Sequence, residues 1–443
     1  MQLPARIDTW LSNARAFQLF QLLRQGGLII IAIALGHSGL AVAEIGYYEM
    51  LTYLGYLLTF FWVSGFMQGL LSQFNRLGIP EQRQLIFQAF GLFSTASIAL
   101  GAIVYLFESN LLLALVRQSS VPYLWLFLVF LLTNLVASLQ EHFYLLKQQK
   151  LELVIYGALT AIAQILVVAL PPWLGYDFWW SFIGLAVLGI LKWLWLLRFT
   201  LQTGKWEWSN AIFNEWWRIS WPLGVYALVA GLSQAVGPWL VGHFFAGDSA
   251  AFALYRYGAR ELPLLSALAG ALGSALIPAI AAQRESGLEE LKLECRRLYH
   301  LIFPLSIVLL LTAQFWFPLV FDPKFTDSVP LFNTFLLLTM AHLLFARTIL
   351  VALEDTRWVP LFALFSLLLQ LGIGFWIVPS WGLMGIATTA VIAFSLEKLG
   401  MVLYVQLRHG ISLPQYTPLR WWLLYSLLLV LTFYWTTVRP TFF

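Results

Sequence analysis

Runs of about twenty apolar residues follow one another along nearly the whole chain. They fall at 15–37, 46–73, 85–107, 121–146, 152–170, 178–198, 219–244, 250–281, 299–320, 328–353, 358–378, 382–407 and 420–437. A helix of that length crosses the roughly 30 Å hydrocarbon core of a bilayer, where only helices and closed barrels satisfy their own backbone groups. Thirteen such runs in 443 residues leave almost no sequence for a soluble domain. Charged residues make up 10% of the chain, against roughly 25% in soluble domains. The expected class is an all-α polytopic membrane protein of about thirteen transmembrane helices. Turn chemistry marks several run ends, at Leu77-Gly78-Ile79-Pro80, Pro171-Pro172 and Asp322-Pro323. The residues before Arg24 hold no short apolar core with a small-residue cleavage site. The first run is therefore read as a spanning helix rather than a removed signal peptide.

The basic residues set the orientation. With a cytoplasmic N-terminus, the inner segments carry sixteen Lys and Arg, among them Arg76, Arg83, Lys147, Lys150, Arg198 and Lys205, whereas the outer ones carry only Arg117, Lys324 and Arg439. That asymmetry is the positive-inside pattern, and one miscounted run would destroy it. The net charge of +4 is thereby explained without a nucleic-acid partner. Two inner connections are longer than the rest. Lys205-Trp206-Glu207-Trp208 to Trp216-Trp217-Arg218 suits the headgroup layer. Ser286 to Arg297 reads as an amphipathic helix on the membrane surface. The first connection divides the chain into a six-helix lobe at 1–200, a connector at 201–218, a second six-helix lobe at 219–410 and an additional helix at 411–443. A short repeat agrees with that division: Leu35-Gly36-His37 precedes Tyr47-Tyr48, and Val241-Gly242-His243 precedes Tyr255 and Tyr257. Six helices per half would make the repeat parallel.

Catalytic signatures are absent: the sequence holds no HExxH, GxSxG or P-loop. Its lone Cys295 excludes a disulfide framework and a thiolate metal site, and its six histidines are scattered over different runs and loops. No aqueous domain offers an acidic site for a sugar donor. The chain is expected to move something rather than make something, with no metal and no cofactor beyond coupling to a proton or sodium gradient.

Charges inside the runs are the informative residues, because each is costly in hydrocarbon unless it pairs or faces water. Lys192, Arg347, Lys398, Glu141 and Glu397 fall towards cytoplasmic ends, where long side chains reach the surface, so a structural role is favoured for them. Arg24, Arg256 and Arg260 lie deeper. In a helix over 250–281, Arg256 and Arg260 stand about 10 and 15 Å from the outer end and share one face. Pro263 would free a carbonyl just below them. Two readings stand: the arginines line a substrate path, or they tie helices together by pairing with Glu49 and Glu261. Those two carboxylates are also the candidates for ion coupling. The small-residue run from Ala267 to Ala275 reads as close helix packing.

The stretch Phe252-Ala253-Leu254-Tyr255-Arg256-Tyr257-Gly258-Ala259-Arg260-Glu261-Leu262-Pro263 and the small residues up to Pro278 resemble Wzx-type polysaccharide and O-antigen exporters. These lipid-linked oligosaccharide flippases belong to the multidrug/oligosaccharidyl-lipid/polysaccharide superfamily, which includes the MATE transporters. Glu44-Ile45-Gly46-Tyr47-Tyr48-Glu49, Phe61-Trp62-Val63-Ser64-Gly65 and Gly382-Leu383-Met384-Gly385-Ile386-Ala387-Thr388-Thr389-Ala390 look like the same group. The resemblance covers the first twelve runs and implies a MATE-like fold, two six-helix lobes around a central cavity; the thirteenth run exceeds it. It further implies translocation of undecaprenyl-pyrophosphate-linked oligosaccharide, across a bacterial inner membrane, by alternating access. Expected partners are the lipid-linked oligosaccharide, membrane lipids and the polysaccharide polymerase and assembly proteins. Arg24, Arg256 and Arg260 are the candidate substrate contacts, since a diphosphate calls for buried cations and suits the arginine fork. A MATE-type drug or cation antiporter is the alternative, and it would prefer buried carboxylates. A non-transporting assembly protein is the third class, which an enclosed charged cavity disfavours.

Overall fold

The structure, a computed structural model, describes residues 12–260 and 263–439. Among them the only regular secondary structure is helical. In the first half lie α1 (Asn13–Gly36), α2 (Val42–Phe74), α3 (Ile79–Val116), α4 (Leu124–Leu146, broken at Ser138), α5 (Lys150–Trp173), α6 (Trp179–Thr203) and α7 (Asn210–Phe244). Then come α8 (Ser249–Gly258), α9 (Pro263–Ala282), α10 (Arg284–Phe321), α11 (Val329–Leu336), α12 (Leu338–His342), α13 (Ala346–Ala352), α14 (Val359–His409) and, near the end, α15 (Leu419–Phe433). The chain forms two compact units, Met1–Gly231 and Leu232–Phe443, that divide within α7.

Among the described residues every apolar run is mainly helix, and the helix ends follow local chemistry. Ser12 accepts the Arg15 amide at the start of α1, Glu81 reaches back to the Gly78 amide at 2.9 Å before α3, and Asp248 caps α8. Asp322, at φ +85°, stops α10. Large apolar side chains such as Leu319, Leu407 and Trp376, 77, 76 and 80% exposed, point outward. Among the described residues nine helices are long and apolar enough to cross a membrane, or eleven with two bent pairs. This is a multi-pass membrane protein.

Within the first unit, aromatic side chains fill the space between helices. Phe66, Phe93, Phe143 and Trp216 belong to one buried cluster, and Phe20, Leu153 and Tyr156 to another joining α1 to α5. Polar atoms inside are tied to backbone: Trp216 Nε1 donates to the Phe66 carbonyl at 3.1 Å, and Gln88 Nε2 to that of Ser209 at 2.9 Å. Residues 210–218, expected in the interfacial connector, are instead the first turns of α7. Pro171 and Pro172 lie inside the last turn of α5 rather than beyond it.

The second unit departs from expectation in three places. The run at 250–281 is two helices, because Pro263 has no amide to donate and its ring would strike the carbonyl four residues back. Proline is tolerated in the first turn, so α9 begins there. The amphipathic stretch after it is not a separate surface helix but the opening of the 38-residue α10, with Leu288, Leu291 and Cys295 buried. Finally, the eleventh and twelfth runs join in α14, which reverses at Gly382, φ +57°. A Cβ on Gly385 would lie 3.0 Å from the Val378 Cα, whereas the same seven residues of straight helix rise about 10 Å. The two arms run antiparallel, with the Trp358 and Phe362 rings both against Tyr404. At their foot Asp355 accepts the Tyr404 hydroxyl at 2.8 Å, which with His409 and Arg357 holds its carboxyl below the usual range. The thirteenth run, α15, docks on this unit through the His300 Nδ1 and Tyr425 hydroxyl pair at 2.8 Å and the Trp422 indole on the Met340 carbonyl at 3.0 Å.

Candidate functional site

Inside the first unit, α1, α2, α4, α5 and α6 enclose a cavity of about 340 Å³. Its wall is apolar at Phe20, Leu28, Ile31, Phe127 and Phe130 and polar at Arg24, Gln25, Asn134, Glu141, Tyr156, Gln164 and Lys192. Gly189 makes the enclosure narrow: a Cβ there would lie 3.1 Å from the Phe130 Cα, so α6 runs tight against α4. Lys192, one turn on and on the same face, is thereby brought to α4, where its Nζ donates to Asn134 Oδ1. Arg24 sits in the middle of α1, about 16 Å from its start. Its Nη1 lies 3.6 Å from Glu141 Oε1, and His142 Nδ1 lies 3.9 Å from the same oxygen.

The remaining polar groups divide by what they offer a ligand. Thr52, Thr59 and Thr160 spend their hydroxyl protons on carbonyls of their own helices. The Tyr156 side chain is 1% exposed and lines the cavity, and its hydroxyl has no hydrogen-bond partner among the described residues. Cations, amides and this hydroxyl therefore supply donors, with two positive side chains against one carboxylate. A charge at this depth is sustained by pairing or by a wet cavity, and this pocket provides both. It can hold a small anion; at about 340 Å³ it lies at the lower edge of ligand-pocket sizes of roughly 300–1,000 Å³.

Of the residues singled out from sequence, Arg24 lines this pocket. Arg256 and Arg260 belong to the second unit, both half-buried. They do not share a helical face as expected: Arg256 is in the last turn of α8, whereas Arg260 lies beyond its end at Gly258, its guanidinium 4.4 Å from the Tyr257 ring centre. Glu49 is buried in α2 but does not line the pocket, and Glu261 lies outside the described residues. Glu141 and Lys192, favoured from sequence for structural roles near helix ends, join Arg24 in the pocket instead. Hydropathy ended the sixth run at 198, but α6 continues to Thr203, which puts Lys192 about 16 Å from that end. The usable signal was Asn134, Gln164 and Lys192, polar residues well inside three apolar runs. Glu397 and Lys398 pair with each other at 2.9 Å, in keeping with the structural reading of both.

A family model for polysaccharide biosynthesis proteins matches residues 40–330. Among solved structures, the fold is similar to the lipid II flippase MurJ in an inward closed conformation, with a TM-score of 0.74, 15% identity and coverage of 95% of this chain and 91% of that one. An inward-facing multidrug resistance MATE family transporter of the MOP superfamily is similar with a TM-score of 0.64 and 12% identity, over 88% of this chain and 94% of that one. A MOP superfamily transporter from Pyrococcus furiosus, described as having a binding pocket of reverse polarity, aligns at 0.58 with 11% identity, over 93% and 99% of the two chains. No curated protein matches the chain by sequence. The MATE-like all-α fold is the property held in common.

Proposed function

The chain belongs to the polysaccharide biosynthesis protein family, and from that premise we propose that it translocates undecaprenyl-pyrophosphate-linked oligosaccharide. The cargo, an O-antigen or exopolysaccharide repeat unit, passes from the cytoplasmic to the periplasmic leaflet of the bacterial inner membrane by alternating access. The observation that carries this reading is the intramembrane pocket with Arg24 and Lys192 against the single carboxylate of Glu141. A diphosphate is a compact dianion whose oxygens match the arginine fork and a nearby ammonium. The cavity admits such a group and leaves the prenyl chain and the glycan outside it. An antiporter of cationic drugs would need the opposite charge balance. The chain acts as a carrier, with no enzymatic step and no cofactor; polymerase and assembly proteins would receive its product.

The same reading gives Arg256 and Arg260 to the cargo's acidic groups from the second unit, and proton or sodium coupling to Glu49 and Glu261. A host lacking the gene should accumulate completed lipid-linked oligosaccharide on the inner leaflet. The wild-type gene should restore surface polysaccharide, whereas Arg256→Ala/Arg260→Ala should reach the membrane and restore little. Sensitivity to drugs without that accumulation would favour the antiporter instead. The basic-residue asymmetry also places the N-terminus in the cytoplasm and the C-terminus in the periplasm. A phosphatase reporter fused after Phe443 should be active; activity only of a cytoplasmic reporter there would overturn the thirteen-helix orientation.

A further inference from the structure

The pocket of the first unit carries its own anion. Glu141 Oε1 lies 3.6 Å from Arg24 Nη1, beyond the roughly 2.7–2.9 Å of a charge-assisted hydrogen bond. The guanidinium is attracted to the carboxylate without its fork closing on it. The Arg24 side chain is 51% exposed and that of Glu141 9%, so the cation reaches forward while the anion sits behind it. Lys192 bonds to Asn134, not to Glu141, although it feels the charge of both Glu141 and Arg24. One carboxylate thus serves two cations.

Glu141 is also mounted apart from the Lys192 anchor. The break in α4 at Ser138 separates Leu124–Ala137, which holds Asn134, from Leu139–Leu146, which holds Glu141. Side chains engage the carbonyls around the break: Ser138 Oγ donates to Leu135 O at 2.6 Å, and His142 Nδ1 lies 3.0 Å from Ser138 O. Among the described residues, His142, Arg24, Lys192 and Tyr156 are charged or titratable groups near the Glu141 carboxylate.

A carrier's site must be attractive enough to load and weak enough to empty. Two cations facing a dianion serve loading alone. We propose that Glu141 is the release group of this pocket: it holds Arg24 when no cargo is bound, yields it to the cargo's phosphates, and competes for it again at unloading. This rests on the reading of the cargo as an anionic lipid-linked head group.

The test uses the purified full chain in nanodiscs of zwitterionic lipid, with a polyprenyl diphosphate and the uncharged polyprenol as probes. Glu141→Gln and Glu141→Ala should bind the diphosphate about tenfold more tightly and release it more slowly, with polyprenol binding unaltered. On an Arg24→Gln background, the same change at Glu141 should have a much smaller effect on affinity, which locates most of the competition at Arg24. The double variant removes both partners and supplies a folded reference, checked by thermal melting. In cells, Glu141→Gln should be present in the membrane and deficient in export. Equal or weaker diphosphate binding by Glu141→Gln would overturn the release role and leave the cargo reading standing, with Glu141 reduced to a structural tie. A parent protein that binds the diphosphate no better than the polyprenol would overturn the cargo reading, and the release role with it.

Discussion

Arg24→Gln and Lys192→Met should reach the membrane in ordinary amounts and lose most export, because each removes a cation from the pocket while keeping side-chain bulk. A hydrogen bond to a charged group contributes about 1.5–3 kcal/mol, so each change should weaken binding of a polyprenyl diphosphate about 10- to 100-fold. Neither should unfold the protein. Arg24 is half exposed and paired at 3.6 Å rather than locked in a short bond, and Met is close to Lys in volume. Arg24→Lys keeps the charge without the fork and should fall between. Membrane protein level, surface polysaccharide and binding affinity need to be measured together on the same variants. A double variant, Arg24→Gln/Lys192→Met, that exports at the parental rate would remove this pocket from the mechanism.

The second large effect is on folding. A Cβ added at Gly65 of α2 would lie 2.5 Å from both the N and the Cα of Gly224 in α7, and 2.9 Å from the Ser220 carbonyl oxygen. These are backbone atoms, which cannot rotate away. A Cβ at Gly224 would meet Phe61 O at 3.5 Å and the Gly65 Cα at 4.0 Å, ordinary contact. Gly65→Ala should therefore destabilise by about 1–3 kcal/mol, as overpacking does, and Gly65→Leu should leave little folded protein. Gly224→Ala should be tolerated, since alanine is the better helix former by about 1 kcal/mol. Thermal unfolding of the purified variants distinguishes the two positions; equal loss at both would mean that α2 and α7 do not cross in this way.

Much of the fold was legible in the apolar runs, because a bilayer leaves a backbone few alternatives. Among the described residues each run is mainly helix, and the Leu77–Pro80 turn and the Asp322 stop stand where expected. The family, too, was legible in the Arg256 region and its glycine-rich sequel. The site was legible only at Arg24. Depth was judged from run ends, and hydropathy cannot tell a helix that ends at residue 198 from one that ends at Thr203.

What the sequence determined by itself is the membrane class and the all-α architecture, since both follow from residue type along the chain. Tertiary structure decided which charges meet. No sequence signal pairs Glu141 with Arg24: the contact depends on where α1 and α4 stand around the pocket, and Lys192 reaches Asn134 because Gly189 lets α6 close on α4. The reversal of α14 likewise hangs on one backbone conformation at Gly382. Hydrophobic periodicity reports how a segment meets its solvent, whereas an intramembrane ion pair depends on interhelical distances set by the missing side chains of a few glycines.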